Sequence, residues 1–318
     1  MYSKDSGMSY AVQTFNLSRK FGNDRIAVDS LSLKVKAGEI FALLGPNGAG
    51  KTTTIKMLCC LLKPSGGRAE ILGKDVQTEA GKVKQVINVS PQETAVAMNL
   101  NLFENLYLVG KIYGLSSRNA RQKSLEMIDL MGLGERKWDK VKKLSGGMLR
   151  RLSIAMAMIS DPEVLFLDEP TIGLDAKARR SLWKMIESLK GKKTVLLTTH
   201  YLEEADYLAD RVAIIDQGKL VAIGTPDELK QNMGGIMTIT IKTDHLNSTA
   251  AEGIKKVYPL SETSTTGLVI KGKDLVFDDV IDLLRKEEVK VQWLAMNEPS
   301  LDDVYLKITG GDEADEIA

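Results

Sequence analysis

The sequence predicts an α/β fold in which helices cover a mainly parallel sheet that carries a helical insert, followed by a small α+β domain. Three observations support this class. An apolar segment, EIFALLG, runs directly into a glycine-rich loop, as a buried strand does. After residue 160, apolar strand patterns alternate with helical ones, which is typical of a parallel sheet. Beyond residue 236, shorter strand and helix patterns indicate a separate unit.

The first predicted elements lie in residues 10–45. The segments AVQTFNL and LSLKV alternate apolar and polar residues and predict half-buried strands, whereas EIFALLG is apolar throughout and predicts a buried strand. After the glycine-rich loop, apolar residues recur with helical spacing: Ile55, Leu58, Cys59 and Leu62. We expect KPSGG at 63–67 to end this helix, so the order is strand, loop, helix.

Residues 93–160 are predicted to form a helical insert. They contain few β-branched runs, and apolar residues recur there with helical spacing in two stretches: Leu125, Ile128 and Met131, then Leu149, Leu152, Met156 and Ile159. Strand and helix patterns then alternate through EVLFLDEP, AKARRSLWKMIESLK, KTVLLTTH, LEEADYLAD and RVAIIDQG. This alternation predicts that the core is a parallel sheet covered by helices.

The chain is predicted to contain two domains. Residues 10–230 form the larger one, and KQNMGG at 230–235 interrupts its pattern. Beyond it, IMTITIKT, GLVIKG and VKVQWLAM predict strands separated by helices, so we expect a small α+β domain at 236–310. Residues 1–9 are expected to be a flexible N-terminus. The acidic residues 311–318 are expected to be a disordered tail, because like charges repel and little can be buried.

The composition is that of an ordinary globular protein. Of 318 residues, 43% are apolar and 27% are charged, and a net charge of +1 gives no overall basic field, so no nucleic-acid partner is expected. The two cysteines, Cys59 and Cys60, are adjacent, which suits neither an ordinary disulfide nor a four-ligand metal site. No run approaches the roughly 18 apolar residues of a membrane helix, so the chain is not expected to span a membrane by itself.

The strongest motif is GPNGAGKT at residues 45–52, which matches the pattern G-x-x-x-x-G-K-[ST] in full. Its glycines allow backbone N–H groups to approach the α and β phosphates of a nucleotide, and Lys51 adds a positive charge near the β and γ oxygens. The hydroxyl of Thr52 is a candidate Mg²⁺ ligand. The nucleotide-binding residues predicted in this loop are Gly45, Pro46, Asn47, Gly48, Ala49, Gly50, Lys51, Thr52 and Thr53.

Two carboxylates end the apolar strand VLFLDEP at residues 164–170. In open α/β sheets, ligands bind at the carboxyl ends of the strands. Asp168 is therefore predicted to hold Mg²⁺, directly or through water, and Glu169 to act as general base toward an attacking water. An exposed acidic turn is the alternative interpretation of these two residues taken alone.

Two further polar residues follow apolar runs. His200 follows TVLLTT, which we expect to lie near VLFLDEP, so its imidazole is a catalytic candidate within reach of a γ-phosphate oxygen. Gln92, in NVSPQE, is a candidate to orient water or Mg²⁺ as a neutral amide.

The segment LSGG at residues 144–147 predicts a second anion site. Ser145, Gly146 and Gly147 begin an amphipathic helix, whose first N–H groups lack internal partners and carry the positive end of the helix dipole. The loop at 45–52 already provides a phosphate site. The local sequence does not indicate which phosphate a second site at 144–147 would bind.

Six segments, GPNGAGKTT, SPQE, LSGG, LFLDEPT, GLD and TTH, follow one another in this order within about residues 10–230. Together they closely resemble the nucleotide-binding subunit of ATP-binding cassette (ABC) transporters, a P-loop NTPase that uses ATP and Mg²⁺. The resemblance implies a role for each of four residues. Phe21 would stack on adenine, Gln92 would be the Q-loop glutamine, Asp175 the D-loop aspartate and His200 the switch histidine. It also implies a head-to-tail dimer with a second copy or a homologous ATPase subunit, in which LSGG of one subunit covers the ATP bound to the other.

Two positions depart from the commonest family pattern. Met148 follows LSGG where glutamine is commonest, and methionine cannot donate a hydrogen bond. Methionine at this position resembles the pattern of ATP-binding subunits of the ABC-2 type, the drug-resistance and multidrug-export group. The terminal segment NEPSLDDVYLKITG also resembles the end of the C-terminal extension in that group. Phe21 stands where tyrosine is frequent, so stacking is kept and a hydroxyl contact is lost.

The leading functional prediction is an ATPase subunit, peripheral at the cytoplasmic face of the membrane, that hydrolyses MgATP to power a separate transmembrane permease. Export is implied by the resemblance only. The alternative is a soluble cassette ATPase that acts on ribosomes or DNA, but one cassette, no heptad arm and near-zero net charge argue against it. A nucleotide sensor without turnover is disfavoured because Glu169 and His200 are both present. The transported substrate is not readable here, since its contacts are expected in the permease.

Overall fold

The computed structural model describes residues 10–22, 25–232, 237–244, 246, 248–264, 266–272, 275–297 and 300–309. The chain divides into two compact units, Met1–Pro226 and Asp227–Ala318. This division lies close to the predicted interruption at 230–235, while the domain limits given above stay a prediction. The predicted flexible segment 1–9 and the predicted acidic tail 311–318 lie outside the described residues.

The first unit contains the predicted succession of strands and helices. Its strands are β1 (Tyr10–Phe21), β2 (Arg25–Leu31), β3 (Lys34–Lys36), β4 (Ile40–Leu44), β5 (Gly66–Ile71), β6 (Lys74–Asp75), β7 (Ile87–Ser90), β8 (Val164–Asp168), β9 (Thr194–Thr199), β10 (Arg211–Asp216) and β11 (Lys219–Gly224). Its helices are α1 (Lys51–Leu58), α2 (Ala80–Val86), α3 (Leu102–Ile112), α4 (Ser117–Leu130), α5 (Gly146–Met158), α6 (Ala176–Glu187) and α7 (Leu202–Leu208), and α8 (Pro226–Asn232) begins at the boundary. Among the described residues, no helix is both long and apolar enough to cross a membrane.

The central sheet has six strands in the order β11-β10-β4-β9-β8-β7, and all neighbours are parallel except the β10–β11 pair. Strands β4, β8 and β9 are buried along their whole length, as expected for central strands of a parallel sheet. β4 and β8 are almost continuously apolar, whereas β9 is apolar at its centre and has threonines at both ends. The register pairs Leu44 with Thr199 and Asp168 with Thr198, so these three strands end level with one another. The predicted mainly parallel sheet is confirmed.

A second, antiparallel sheet in the order β2-β1-β5-β6, with β3 also paired to β1, packs its apolar residues into the same core. At its centre the buried Thr14 hydroxyl donates to the carbonyl of Leu31 at 2.9 Å and accepts from the N–H of Leu33 at 2.8 Å. These two bonds join β1 to the connection between β2 and β3. The same strand β1 ends at Phe21, which pairs with Arg25 on β2.

The predicted helical insert is confirmed, and it consists of α3, α4 and α5 with two short 3-10 turns at residues 134–136 and 141–143. Asn101 and Glu104 form a capping box at the start of α3. Ile128 on α4 and Leu152 on α5 are buried, as their helical spacing indicates. Helix α5 packs against both α3 and β7, so it connects the insert to the central sheet.

The helix after the glycine-rich loop is shorter than predicted, because α1 ends at Leu58 rather than near Leu62. Cys60 adopts a left-handed φ of 56°. The N–H of Cys60 donates to the carbonyl of Met57, and the N–H of Leu61 donates to that of Lys56. These two bonds form a Schellman ending, in which a left-handed residue closes the helix and satisfies its last carbonyls. Periodicity missed it because this position holds cysteine instead of the usual glycine.

The second unit is the predicted small α+β fold. Its elements are β12 (Met237–Thr243), α9 (Ser248–Val257), β13 (Glu262–Ser264), β14 (Gly267–Gly272), α10 (Phe277–Lys286), β15 (Val291–Asn297) and α11 (Leu301–Thr309). The strands form an antiparallel sheet in the order β13-β14-β12-β15. Ile239, Ile241 and Ile270 from the sheet share a core with Ile254 and Leu284 from the helices.

We predict that Thr14→Val lowers the free energy of unfolding by about 1–3 kcal/mol, because valine keeps the shape but leaves the buried carbonyl of Leu31 and N–H of Leu33 without the hydroxyl. Urea unfolding followed by circular dichroism measures this. Thr14→Ser is the matched control, since it keeps the hydroxyl and should lose less than half as much. Equal losses in the two variants would contradict the role of the hydroxyl.

Candidate active site

The glycine-rich loop connects the buried strand β4 to the first turn of α1. Gly50 precedes the helix with a φ of 101°, a conformation that L side chains rarely adopt. A Cβ on Gly50 would also collide with the carbonyl of Ala27, and one on Gly45 would collide with that of Ile215. The loop is therefore packed tightly against two neighbouring segments. Its backbone leads into the N-terminus of α1, where unpaired N–H groups and the helix dipole favour an anion.

Lys51, the first residue of α1, carries a nearly buried ammonium group. Its Nζ donates to the carbonyls of Gly45 at 2.7 Å and Pro46 at 3.1 Å, and it lies 3.0 Å from Oε1 of Glu169. Both side chains of this ion pair are only 5% exposed. A buried cation needs such partners, since burial without them carries a large desolvation penalty. These contacts hold the Lys51 ammonium against the first two residues of the loop, Gly45 and Pro46.

Asp168, the last residue of β8, forms the second cluster of the site. Its Oδ1 accepts hydrogen bonds from Thr52 Oγ1 at 3.1 Å and from Thr198 Oγ1 at 2.6 Å. The hydroxyl of Thr52 and the carboxylate of Asp168 are oxygen donors of the kind that Mg²⁺ prefers alongside phosphate and water. Within the described part of the chain, no group of three or more His, Cys, Asp or Glu is arranged to hold a metal ion on its own.

Glu169 occupies a strained backbone position next to Asp168. Its φ is 49°, in the left-handed region that costs a non-glycine residue on the order of 1–3 kcal/mol. The N–H of Glu169 donates to Thr198 Oγ1 at 3.0 Å, and its Oε2 lies 2.7 Å from Nδ1 of His200. The structure therefore brings together Glu169 and His200, two of the three predicted catalytic residues, and the lysine of the loop. The third, Gln92, is not hydrogen-bonded to either of them in the described part of the chain, but it lines the same cavity as Glu169.

Lys51, Thr52 and Glu169 line a cavity of about 700 Å³, within the usual range for a small-molecule site. Asp168 and His200 do not line this cavity, but they contact Thr52 and Glu169, which do. The residues lining it are Phe21, Arg25, Ile26, Ala27, Pro46, Asn47, Gly48, Gly50, Lys51, Thr52, Thr53, Gln92, Glu169 and Ile172. Phe21 is 38% exposed, and the guanidinium of Arg19 lies over its ring, 4.6 Å from the centroid, so stacking would use the opposite face. Gln92 lies at the same cavity. Arg25, Ile26, Ala27 and Ile172 belong to no motif, and only the cross-strand pairing at the end of β1 could have indicated the first two.

The predicted residues of the second anion site lie elsewhere. Among the described residues, those lining the cavity do not include Ser145, Gly146, Gly147 or Asp175. Ser145 caps α5 by accepting from the N–H of Met148 at 3.4 Å, and Asp175 caps α6 by accepting from that of Ala178 at 2.8 Å. A Cβ on Gly147 would lie 3.1 Å from that of Ala178, so the two helix starts are close neighbours.

A buried carboxyl, Glu204, lies on the α7 side of the site. It accepts from Nε1 of Trp183 at 3.0 Å and is fully buried. Burial raises the pKa of the Glu204 carboxyl, and the hydrogen bond from Trp183 partly opposes that rise.

Comparison with known proteins supports the same assignment. The family model described as ABC transporter matches residues 28–172. The daunorubicin/doxorubicin resistance ATP-binding protein DrrA of Streptomyces peucetius is 39% identical over 311 residues, which are 94% of this chain and 92% of DrrA. Nod factor export ATP-binding protein I of Cupriavidus metallidurans is 36% identical over 312 residues, covering 97% of this chain and 100% of that protein. A solved dimeric ATP-binding cassette in a post-hydrolysis state with ADP and Pi aligns with a TM-score of 0.61 at 25% identity, covering 67% of this chain and 98% of that one.

The relatives align with both units of the chain, so the resemblance extends well beyond the short motifs. The predicted fold, a P-loop NTPase cassette with a C-terminal α+β unit, is confirmed, as are the predictions of a nucleotide-binding transporter subunit and of an ATPase. The chain belongs to the ABC transporter family, as an ATP-binding cassette ATPase subunit.

Proposed function

We propose that this chain hydrolyses MgATP to drive export through a separate transmembrane permease, at the cytoplasmic face of the membrane. The observation that carries the catalytic part is the contact of Glu169 with both Lys51 and His200 at the nucleotide cavity. The transport part is supported by the names of the relatives, one a drug-resistance ATP-binding protein and one an export ATP-binding protein.

In this proposal the nucleotide lies across the cavity from Phe21 to the loop. The Phe21 ring stacks on adenine, and the N–H groups at the start of α1 bind the phosphates. Phosphate oxygens accept from Lys51, which otherwise donates to the carbonyls of Gly45 and Pro46. A γ-phosphate therefore competes with Glu169 for the same ammonium, and its binding frees the Glu169 carboxylate for catalysis.

Thr52 and Asp168 are the residues that would hold Mg²⁺, and the contact of their side chains at 3.1 Å supports this pairing of donors. Gln92, at the same cavity, is the third candidate ligand. When bound, Mg²⁺ supplies positive charge that stabilises the phosphate oxygens. Thr198 fixes the orientation of the Asp168 carboxylate through its own hydrogen bond.

Glu169 is proposed to accept the proton of the attacking water, and His200 to hold the Glu169 carboxylate and contact the γ-phosphate. The left-handed backbone of Glu169 directs its side chain toward the glycine-rich loop, where Oε1 lies 3.0 Å from Nζ of Lys51. His200 is 28% exposed while Glu169 is 5% exposed, so the histidine lies on the solvent side of the pair.

The second anion site is proposed to serve a second subunit, either another copy or a homologous ATPase. Ser145, Gly146 and Gly147 begin α5 but do not line the cavity that contains Lys51, as far as the described residues go. In a head-to-tail dimer, each cavity faces the α5 N-terminus of the other chain. The N–H groups at the start of the partner's α5 then donate hydrogen bonds to the ATP of this chain. Asp175 lies at the start of α6, next to the start of α5.

We predict that Glu169→Gln keeps ATP affinity and lowers the turnover rate by about 10²–10⁴-fold, because the amide keeps the shape but cannot accept the proton. Phosphate release measures turnover, and equilibrium binding of a fluorescent ATP analogue measures affinity. Glu163→Gln is the matched control, since Glu163 is exposed just before β8, at the opposite end of that strand. Turnover near the wild-type rate in Glu169→Gln would show that Glu169 is not the base.

We predict that two inactive variants recover part of the ATPase activity when mixed. Lys51→Ala removes the charge on the phosphates. Gly146→Asp adds a negative charge at the start of α5 without crowding, because outside its chain neighbours and the backbone of its own helix no described heavy atom lies within 4 Å of the new Cβ. In a mixed head-to-tail dimer both changes fall in one site and the other site is intact, so random exchange leaves roughly a quarter of all sites whole.

Each variant mixed with itself is the control, and subunit exchange is followed with two fluorescent labels. No recovery despite exchange would mean that α5 acts within its own chain or that both sites must be intact. A covalently linked pair with both changes in one site separates these two outcomes, because it contains one whole site in every molecule.

A further inference from the structure

Arg150, in the second turn of α5, connects three segments of the first unit through one guanidinium group. Its Nη2 donates to the carbonyl of Asp168 at 2.5 Å, and its Nε donates to that of Pro170 at 2.8 Å. Its Nη1 donates to the carbonyls of Pro91 at 2.5 Å and Gln92 at 3.1 Å. No motif in the sequence indicated this residue, since an arginine on a helix is usually exposed. Here the residue is only 3% exposed.

The contacts of Arg150 lie on both sides of Glu169. The peptide between Asp168 and Glu169 is held at its oxygen by Arg150 and at its N–H by Thr198. The next carbonyl along, that of Pro170, is held by Arg150 as well. The strained φ of Glu169 therefore lies between two carbonyls that are fixed to the same guanidinium. A backbone held in this way cannot relax to an ordinary conformation without breaking these bonds.

The chemistry of the site requires arginine rather than lysine. Four carbonyl oxygens converge on the group from different directions, and a guanidinium has five N–H donors in a planar fork, whereas an ammonium has three on a single atom. Burial lowers the pKa of Arg150, and the negative charges of Asp168, Glu204 and Glu169 oppose that shift. Nearby negative charges thus stabilise the buried guanidinium, and its hydrogen bonds to four carbonyls fix its position.

We propose that Arg150 is a positioning residue that holds Glu169 in its catalytic conformation and fixes it to the helix that carries Ser145 and Gly147. Arg150 touches neither nucleotide nor water in this proposal. Its effect on turnover passes through the Glu169 backbone, so the inference rests on the proposed role of Glu169 as general base. Movement of α5 against a partner's nucleotide is then transmitted directly to Glu169.

The first test replaces Arg150 by lysine, which keeps the charge but cannot satisfy four carbonyls. Arg150→Lys should lower kcat by about 10–100-fold with KM and ATP-analogue affinity within twofold, since a misplacement of about 1 Å costs on the order of 10²-fold in rate. Arg151→Lys is the matched control, because Arg151 is the next residue and, among the described residues, its side chain donates to a single carbonyl, that of Met131, at 3.3 Å. A wild-type kcat in Arg150→Lys, or a protein that neither folds nor binds the ATP analogue, would overturn the proposal.

The second test is a double-mutant cycle with Glu169→Gln, measured by single-turnover hydrolysis of radiolabelled ATP over hours. If Arg150 acts through Glu169, the double variant turns over within about threefold of Glu169→Gln alone, because residues that act as a unit are not additive. A further loss equal to that of Arg150→Lys in the wild-type background would overturn the proposal. Failure of the general-base role is seen separately, as wild-type turnover in the single variant Glu169→Gln.

Discussion

The parallel register of β4, β9 and β8 is the constraint on which the rest of the site depends. Because Leu44 pairs with Thr199 and Asp168 with Thr198, the three strands stop at the same level. The glycine-rich loop, the two carboxylates and His200 then meet at one edge, although the loop precedes the other two segments by more than a hundred residues. A shift of one residue in either pairing would turn these side chains to the other face of the sheet.

Burial of charge is the second constraint, and it follows from the first. The strand ends lie against a close-packed core, so Lys51, Asp168, Glu169 and Arg150 are all nearly inaccessible. Each is therefore paired: Lys51 with Glu169, Asp168 with two hydroxyls, and Arg150 with four carbonyls. In surroundings that exclude water these interactions are strong, and losing one partner exposes the other to the full desolvation cost. A phosphate that replaces Glu169 at Lys51 rearranges the network without leaving a charge unpaired.

The sequence predicted those parts of the fold and site that depend on local pattern. Continuous apolar strands, the loop at 45–52 and the carboxylates after β8 are local features, and the structure brings Lys51, Thr52, Asp168, Glu169 and His200 together as expected. The helix end at Cys60 was missed because its left-handed backbone arises at a residue that carries no glycine signal. Arg150 and Arg25 were missed because their contacts depend on tertiary packing and strand register, which leave no periodic trace.

The central claim is that Glu169 exchanges its contact with Lys51 for a catalytic one when nucleotide binds, at a site completed by another chain. A high-resolution structure with Mg²⁺ and a non-hydrolysable ATP analogue tests this most directly. The account predicts the Lys51 ammonium on the phosphate oxygens, Mg²⁺ at Thr52 and Asp168, Glu169 still held by His200, and Ser145 of a second copy at the γ-phosphate. A bound nucleotide with the Lys51–Glu169 pair intact, or with Ser145 of the same chain at its γ-phosphate, would contradict it.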